Sequence, residues 1–124
     1  MWEMHWKDLD VWKRSHGLVR EVYRVTARFP KEELYGLTSQ IRRAIVSIPT
    51  NIVEGFSRNS TKEYIQFLFN SRGSLEESRY LLLLSQEFGF ISKDVYDGIE
   101  NECETISKML NGLISALRKR VNEK

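Results

Sequence analysis

SQIRRAIVSIPTNIVEGFSRNSTKEYIQF, residues 39–67, is the stretch that decides the fold. It predicts a helix that Thr38 or Ser39 can cap, a short polar break and the start of another helix. One helix face carries isoleucines at spacings of 4, 3 and 4: Ile41, Ile45, Ile48 and Ile52. A second apolar row lies about 100° round the helix: Val46, Pro49, Val53 and Phe56. Because proline has no amide hydrogen to donate, we expect this helix to bend at Pro49.

The remaining face of this helix carries a polar column with a charge near each end: Gln40, Arg43, Ser47, Asn51 and Glu54. Two interpretations stay open. The polar column is either a buried, hydrogen-bonded seam that fixes helix register or subunit pairing, or a binding site built from Arg43, Asn51 and Glu54. The structural interpretation is favoured, because buried polar groups are normally satisfied within the protein.

The pattern predicts another helix ahead of this stretch. Asp8 or Asp10 can cap it, and it extends to about Arg28, where Phe29-Pro30 ends it. The following residues form its predicted inner face: Trp12, Val19, Val22, Tyr23 and Thr26.

Two more helices follow the polar break. A capping box at Ser60 and Glu63 opens the third, which ends at Gly89. Ser92 caps the fourth. The third helix alternates large residues with serine along one seam: Tyr64, Leu68, Ser71, Leu75, Ser78, Leu82 and Ser85. The fourth keeps a 4-3-4-3-4 spacing of apolar residues: Ile99, Cys103, Ile106, Leu110, Leu113 and Leu117.

Size and composition indicate one soluble domain over residues 1–124. The chain has 124 residues and 14.6 kDa, and only two prolines and seven glycines, too few for an all-β fold with many turns. A net charge of +2 neither requires nor excludes a polyanionic partner. With a single cysteine and no long apolar run at the N-terminus, we expect a cytoplasmic protein without a membrane span.

Four helices with short connections predict an all-α, antiparallel up-and-down bundle. A single bundle has one interior. We therefore expect the second apolar row of the second helix and the four leucines Leu81–Leu84 of the third to remain exposed to solvent. Leaving several such side chains in water forfeits several kcal/mol at roughly 25 cal/mol per Å². That loss is comparable with the net stability of a small domain. We therefore expect homo-oligomerisation.

The chain resembles the four-helix bundle family encoded in intervening sequences of bacterial large-subunit ribosomal RNA genes. In the first two helices the resemblance rests on Leu9, Val11, Trp12, Phe29-Pro30-Lys31, Glu33, Tyr35-Gly36-Leu37, Gln40, Arg42-Arg43, Ser47-Ile48-Pro49, Asn51-Ile52 and Glu54-Gly55. In the third it rests on Glu63, Phe67, Leu68, Gly73 and Ser74. Val53 stands where the family usually has alanine.

This resemblance implies a left-handed four-helix bundle that assembles as a ring-like homopentamer. The chain is also similar to the accessory protein of diversity-generating retroelements. That protein is a basic pentameric barrel that binds nucleic acid and a reverse transcriptase. The resemblance implies far more about the fold than about the function.

No pattern of catalytic, metal-binding or cofactor-binding residues emerges from the sequence. His5 and His16 are eleven residues apart and neither follows a glutamate by three, as a di-iron bundle would require. Cys103 sits on the predicted core face, where a thiol behaves as a small apolar group. The scattered glycines form no phosphate-binding loop. We therefore expect no enzyme activity, metal or cofactor.

Two basic sets remain as candidates for a nucleic-acid contact: Arg20, Arg24, Arg28 and Lys31, and Arg118, Lys119 and Arg120. Repeated around a ring, they would form a belt that holds phosphates of RNA or DNA. The simpler interpretation is that these residues are ordinary solvent-exposed cations on the outside of a helix, without a ligand. The alternative function is a scaffold that presents the Trp2 and Trp6 region or the helix ends to a protein partner.

Overall fold

The computed structural model describes residues 5–122, and these contain four α-helices and no strand. The helices are α1 (Asp10–Thr26), α2 (Leu37–Phe56), α3 (Thr61–Glu87) and α4 (Lys93–Asn122). Two single-turn 3-10 helices precede α1 and α2, at Trp6–Asp8 and Lys31–Glu33. The predicted all-α, four-helix architecture is confirmed.

Contacts between helices show that neighbours run antiparallel. Ser71 of α3 donates a hydrogen bond to the Ile48 carbonyl of α2 at 2.9 Å, and Ser74 lies 2.9 Å from Ser47. Residue numbers therefore rise along α3 as they fall along α2. Two α3–α4 pairs show the same relation: Arg72 with Asn111 and Arg79 with Glu100. Between α1 and α4, Arg14 bonds Glu102, and Arg24, further along α1, lines a cleft with Val95, earlier on α4. The chain thus goes up and down four times, with α1 closing against α4.

The core follows the predicted seams of α2, α3 and α4. All four isoleucines of the first α2 row are fully buried, and so is every seam residue of α3 from Leu68 to Ser85. The α3 serines are satisfied by carbonyl oxygens: Ser78 donates to Ser74 and Ser85 donates to Leu81. Along α4 the prediction holds except near the end, where Ile114 is buried and Leu113 only half-buried.

The predicted inner face of α1 is wrong at Tyr23, which is exposed. Trp12 and Val19 are half-buried and pack against the core. The buried residues of α1 are Val11, Ser15, Leu18, Val22 and Thr26, of which Ser15 and Thr26 are polar. Both hydroxyls among these donate to the carbonyl four residues earlier at 2.7 Å. These bonds satisfy the two hydroxyls inside the core. The buried face of α1 could therefore not be identified from hydrophobicity alone.

The predicted caps of α1 and α2 are also wrong. Leu9 precedes α1 and makes no side-chain cap, while Asp8 instead accepts a hydrogen bond from the His5 amide in the 3-10 turn. Gly36 precedes α2, which places Thr38 and Ser39 inside the helix.

The boundaries of α3 and α4 agree with the prediction. Ser60 accepts a hydrogen bond from the Glu63 amide at 3.1 Å, and Ser92 accepts one from the Val95 amide at 3.2 Å. At the end of α3, Gly89 has a positive φ of 82°, which glycine adopts without strain. The Phe90 amide then donates to Ser85, and the Gly89 amide donates to Gln86, as in a Schellman motif.

The apolar surface that the sequence assigned to oligomerisation is largely covered within one chain. In the second α2 row only Val46 is exposed; Pro49 is buried, and α2 runs helical through it. Of the four leucines, Leu81 and Leu82 are buried and Leu83 is 36% exposed. The single bundle therefore has more interior than the helical pattern indicated, because α3 buries a wide arc.

α2 and α3 pack tightly against each other at Gly55. A methyl group placed there would lie 2.8 Å from the Cβ of Phe67 and 3.0 Å from Cδ1 of Tyr64. It would also lie 3.2 Å from the Tyr64 carbonyl oxygen, which belongs to the rigid backbone of α3. Only glycine lets the two helices meet at this distance.

Gly55→Ala should lower the free energy of unfolding by about 1–3 kcal/mol, because overpacking must push α3 away from α2. The loss is expected despite the better helix propensity of alanine. Gly112→Ala is the matched control: its added methyl would meet no atom within 4 Å, so it should stabilise the protein by about 0.5–1 kcal/mol. Denaturant unfolding measures both, and equal effects would contradict the close contact at Gly55.

Candidate functional site

The polar column of α2 divides into a half-buried part and an exposed part. Ser47 and Asn51 are half-buried, whereas Gln40, Arg43 and Glu54 are exposed. Arg43 donates to the Ser39 hydroxyl at 3.1 Å, and none of the ion pairs among residues 5–122 includes it. Within one chain, only the middle of the column lies between helices.

That middle part links α2 to α3 through hydrogen bonds. The Asn51 amide donates to the Ser47 carbonyl at 2.8 Å and to the Ser47 hydroxyl at 2.9 Å, and this hydroxyl also lies 2.9 Å from that of Ser74. Ser47 thus occupies the centre of a chain of polar groups across the helix pair. This geometry agrees with a seam that fixes helix register.

A groove of about 640 Å³ runs along the outer side of α2, and we call it the α2 groove. Its lining combines exposed apolar and aromatic residues with two arginines: Tyr23, Leu34, Tyr35, Val46, Arg42 and Arg43. Tyr35 is 94% exposed, so almost its whole ring projects into solvent. The guanidinium of Arg42 lies 4.5 Å from the centre of the Tyr23 ring and donates to Thr26 at 2.9 Å. Apolar rings exposed beside fixed cations are typical of a contact surface.

Thr38 lies at the base of the α2 groove with an unsatisfied hydroxyl. Its side chain is only 4% exposed, and its Oγ1 has no hydrogen-bond partner among the described residues. A buried hydroxyl without a partner costs about 1–3 kcal/mol. Because this oxygen is enclosed by its own chain, an occupant of the groove does not reach it.

The first basic set lies on the outside of α1 and in the loop that follows. Arg20, Arg24, Arg28 and Lys31 are all exposed. Arg24 forms an ion pair with Glu21, and Lys31 opens the short turn Lys31–Glu33 with its two glutamates. Carboxylates therefore offset much of this positive charge.

The second basic set occupies the last turn of α4. Arg118, Lys119 and Arg120 are exposed, and none belongs to an ion pair among the described residues. Cations near a helix C-terminus complement the helix dipole, which accounts for part of their placement.

The two basic sets lie at opposite ends of the molecule. Arg24 and Arg28 line a cleft beside Val95, near the start of α4. Arg118 lies 23 residues further along the same helix, which at 1.5 Å per residue is about 35 Å away. One chain therefore does not join them into a single surface.

Charge is strongly segregated along the hairpin of α3 and α4. Segments 76–87 and 93–104, next to the connecting loop, carry eight acidic and two basic residues. Segments 64–75 and 105–122, away from the loop, carry no acidic residue. The five cations in these latter segments form what we call the basic end: Arg72, Lys108, Arg118, Lys119 and Arg120. We call segments 76–87 and 93–104 the acidic end, and the first basic set the α1 row. The α1 row lies beside the acidic end, since Glu21 of α1 and Asp94 of α4 line one cleft.

Sequence reasoning missed Arg72 and Lys108. The sequence does show that segments 64–75 and 105–122 lack carboxylates. Only the antiparallel pairing of α3 with α4 brings these two segments together. In the structure the guanidiniums of Arg72 and Arg118 lie 4.9 and 5.0 Å from the centre of the same ring, that of Phe69. Arg72 also donates to Asn111 at 3.0 Å. Two cations are thus held beside one aromatic ring, and no carboxylate among residues 5–122 forms an ion pair with either.

The acidic end is organised by Arg79, which bridges α3 and α4. It donates to both carboxylate oxygens of Glu100, at 3.1 and 2.5 Å, and to Glu76 at 3.0 Å. The hydrogen bond to Glu100 raises the pKa of the Arg79 guanidinium above its ordinary value. This bridge fixes the register of the hairpin.

The aromatic residues before and on α1 form a short stack. Trp6 contacts Trp12 edge-on at 4.9 Å, and Trp12 stacks on His16 at 4.9 Å. Trp6 thus packs on the first turns of α1, on its own chain. Trp2, which the scaffold hypothesis also named, lies outside the described residues.

The described residues include no group of three or more His, Cys, Asp and Glu side chains placed to hold a metal ion. Cys103 is fully buried, and burial raises the pKa of its thiol to about 12. At neutral pH the thiol is protonated, and only the thiolate is nucleophilic.

Residues 5–122 thus form an antiparallel bundle of four helices in which the cations of one end are separated from the carboxylates of the other. Residues 7–112 match the family described as 23S rRNA-intervening sequence protein. The chain belongs to this family.

The fold is also similar to a crystal structure of a protein with unknown function from the S23 ribosomal protein family of Bacteroides thetaiotaomicron. The TM-score is 0.78 at 24% sequence identity, over 84% of this chain and 97% of that chain. At this identity the likeness supports the fold alone. No protein with a curated description matches significantly. Among the helices within residues 5–122, none has the length and apolar composition needed to span a bilayer.

The burial and raised pKa of Cys103 predict an inert thiol. In native protein at a pH of about 8.5, near the ordinary thiol pKa, iodoacetamide should leave Cys103 unlabelled. In guanidinium chloride it should label the residue fully. Mass spectrometry after a timed reaction measures both, and the unfolded sample is the control for reagent activity. Fast labelling of the native protein would show an accessible, activated thiol.

Proposed function

We propose that this protein is a non-catalytic, homo-oligomeric four-helix module that binds the backbone of RNA or DNA through a repeated basic surface. In this proposal the left-handed bundles form a ring, with the pentamer as the expected number. The protein acts in the cytoplasm and uses no cofactor.

The observation that carries the nucleic-acid proposal is the basic end, whose segments 64–75 and 105–122 hold five cations and no carboxylate, although Glu63 precedes the first segment and Glu123 follows the second. A net charge of +2 is too small to hold a polyanion, but the charge is not evenly spread. Because no acidic residue lies in segments 64–75 and 105–122, their five cations act together on one side of the hairpin. Nucleic-acid binding depends on such local clusters, since each phosphate contact releases counterions.

Of the two basic sets named from the sequence, the α1 row is the weaker candidate. Its Arg24 is paired with Glu21, and the row lies beside the acidic end. A phosphate that approaches the α1 row would meet carboxylates as well as arginines. The helix dipole explains cations in the last turn of α4, yet it does not explain Lys108 in mid-helix or Arg72 on α3. Attraction of a polyanion accounts for all five.

Neutralising the basic end should weaken nucleic-acid binding and its salt dependence. For the variant Arg118→Gln/Lys119→Gln/Arg120→Gln, the slope of log affinity against log salt should fall by about 2, at roughly 0.7 per lost phosphate contact. Fluorescence anisotropy with a labelled RNA over a salt series measures the slope.

The matched control removes the same number of charges from α1: Arg20→Gln/Arg24→Gln/Arg28→Gln. All six replaced side chains are exposed, so each change should cost within about 0.5 kcal/mol of stability. If the slope of log affinity against log salt falls more in the control than in the first variant, the nucleic-acid contact lies on the α1 row instead. No binding by the parent at any salt concentration would overturn the nucleic-acid function and favour the protein scaffold.

The α2 groove supports the oligomeric part of the proposal. It presents Tyr35, Leu34 and Val46 to solvent, which leaves apolar area uncovered in an isolated chain. A second copy packed against this groove would cover these side chains. A ring also multiplies weak phosphate contacts through effective concentration.

Val46→Lys should break the assembly, because it places a charge in the groove beside Arg42 and Arg43. Light scattering on a sizing column should give the parent a mass near five chains of 14.6 kDa and the variant a smaller mass. Leu83→Lys is the matched control, since Leu83 on α3 is similarly exposed, at 36% against 38% for Val46. If the parent protein has the mass of one chain, the proposed oligomer does not exist. If Val46→Lys has the same mass as the parent, the interface does not lie at the α2 groove.

A further inference from the structure

The outward face of α3 near the basic end has an unusual composition. Between residues 62 and 73 its outermost positions hold one cation, two amides, one aromatic ring and one glycine. We call this set the α3 strip: Lys62, Gln66, Phe69, Asn70 and Gly73. All are exposed except Phe69, which is half-buried. Gly73 leaves open space where a side chain would stand, so a ligand can approach the helix backbone there.

Arginines flank the α3 strip on both sides, each held against a phenyl ring. On the α2 side, the Arg58 guanidinium lies 4.6 Å from the centre of the Phe67 ring. On the α4 side, Arg72 and Arg118 share the ring of Phe69. None of these arginines belongs to an ion pair among the described residues. The rings hold the cations in place while leaving their charge uncompensated.

The amides between these cations are available for hydrogen bonding. Gln66 and Asn70 lie one helical turn apart and contact each other only weakly, at 3.5 Å. Their side chains offer both donors and acceptors, which match the edges of nucleobases. Flanking cations with amides between them are suited to a strand whose phosphates and bases are both accessible.

Base readout from double-stranded RNA is not expected at this face. The major groove of an A-form duplex is too deep and narrow for side chains to read, and proteins recognise such a duplex mostly through its shape, 2′-hydroxyls and phosphates. For an RNA ligand, Gln66 and Asn70 would therefore read bases only where those bases are unpaired.

We infer that the α3 strip binds single-stranded RNA, with phosphates on Arg58, Arg72 and Arg118 and unpaired bases on Gln66 and Asn70. This inference rests on the proposed nucleic-acid function and adds the class of ligand and the place where it lies. Phe69 serves as a positioning residue, because it holds two of the arginines. Unpaired bases are also the usual target of proteins that bind RNA by hydrogen bonds to base edges.

The test compares a labelled mixed-sequence RNA as a single strand and as a blunt duplex, using the whole chain at one salt concentration. The parent should bind the single strand about fivefold or more tightly than the duplex, as expected for base contacts of ordinary strength. Gln66→Ala/Asn70→Ala should reduce this ratio to near one and leave duplex affinity unchanged, because no charge is removed. Arg58→Gln/Arg72→Gln should weaken both.

Asn101→Ala is the matched control, since Asn101 is an exposed amide on α4 in the acidic segment. It should change neither affinity. A parent that prefers duplex, or a Gln66→Ala/Asn70→Ala variant that keeps the parent ratio, would overturn the single-strand site while nucleic-acid binding itself stands. A parent that binds neither RNA would overturn the proposed function and the inference with it.

Discussion

The close contact between α2 and α3 is the constraint on which the rest of the structure depends. Gly55 allows the helices to approach until a methyl group would collide with Phe67, and Ser71 uses this proximity to donate to the Ile48 carbonyl. The pairing of Ser47 with Ser74 sets the register between the same helices. Because small residues form this contact, larger side chains on both helices can fill the space towards α1 and α4.

The same contact determines which surfaces face solvent. With Ser71 and Leu75 turned into the core, the opposite side of α3 must point outward, and this side carries Gln66 and Asn70. The register of α3 against α4 is then fixed by Arg79 and Glu100 at the loop end. The basic end is therefore a result of packing rather than of any local motif.

Much of the fold could be predicted from the sequence, because the patterns of α2, α3 and α4 repeat at helical spacing. The inner face of α1 could not, since Ser15 and Thr26 are polar by type yet satisfied by their own backbone. Of the basic end, the run at Arg118 was visible as a local cluster. Arg72 was not, because it contacts Asn111, which is 39 residues away in the chain. Contacts at that separation depend on the register between helices, which spacing within one helix does not contain.

The segregated charges give the α3–α4 hairpin an electric dipole along its length. A polyanion in solution exerts a torque on such a dipole, which turns the positive pole forward before any contact forms. At physiological ionic strength the Debye length is about 8 Å, which confines this alignment to the last stage of approach. In the proposed function, the hairpin would thus select the orientation of each encounter, with Glu76 and Glu100 on the side away from the ligand.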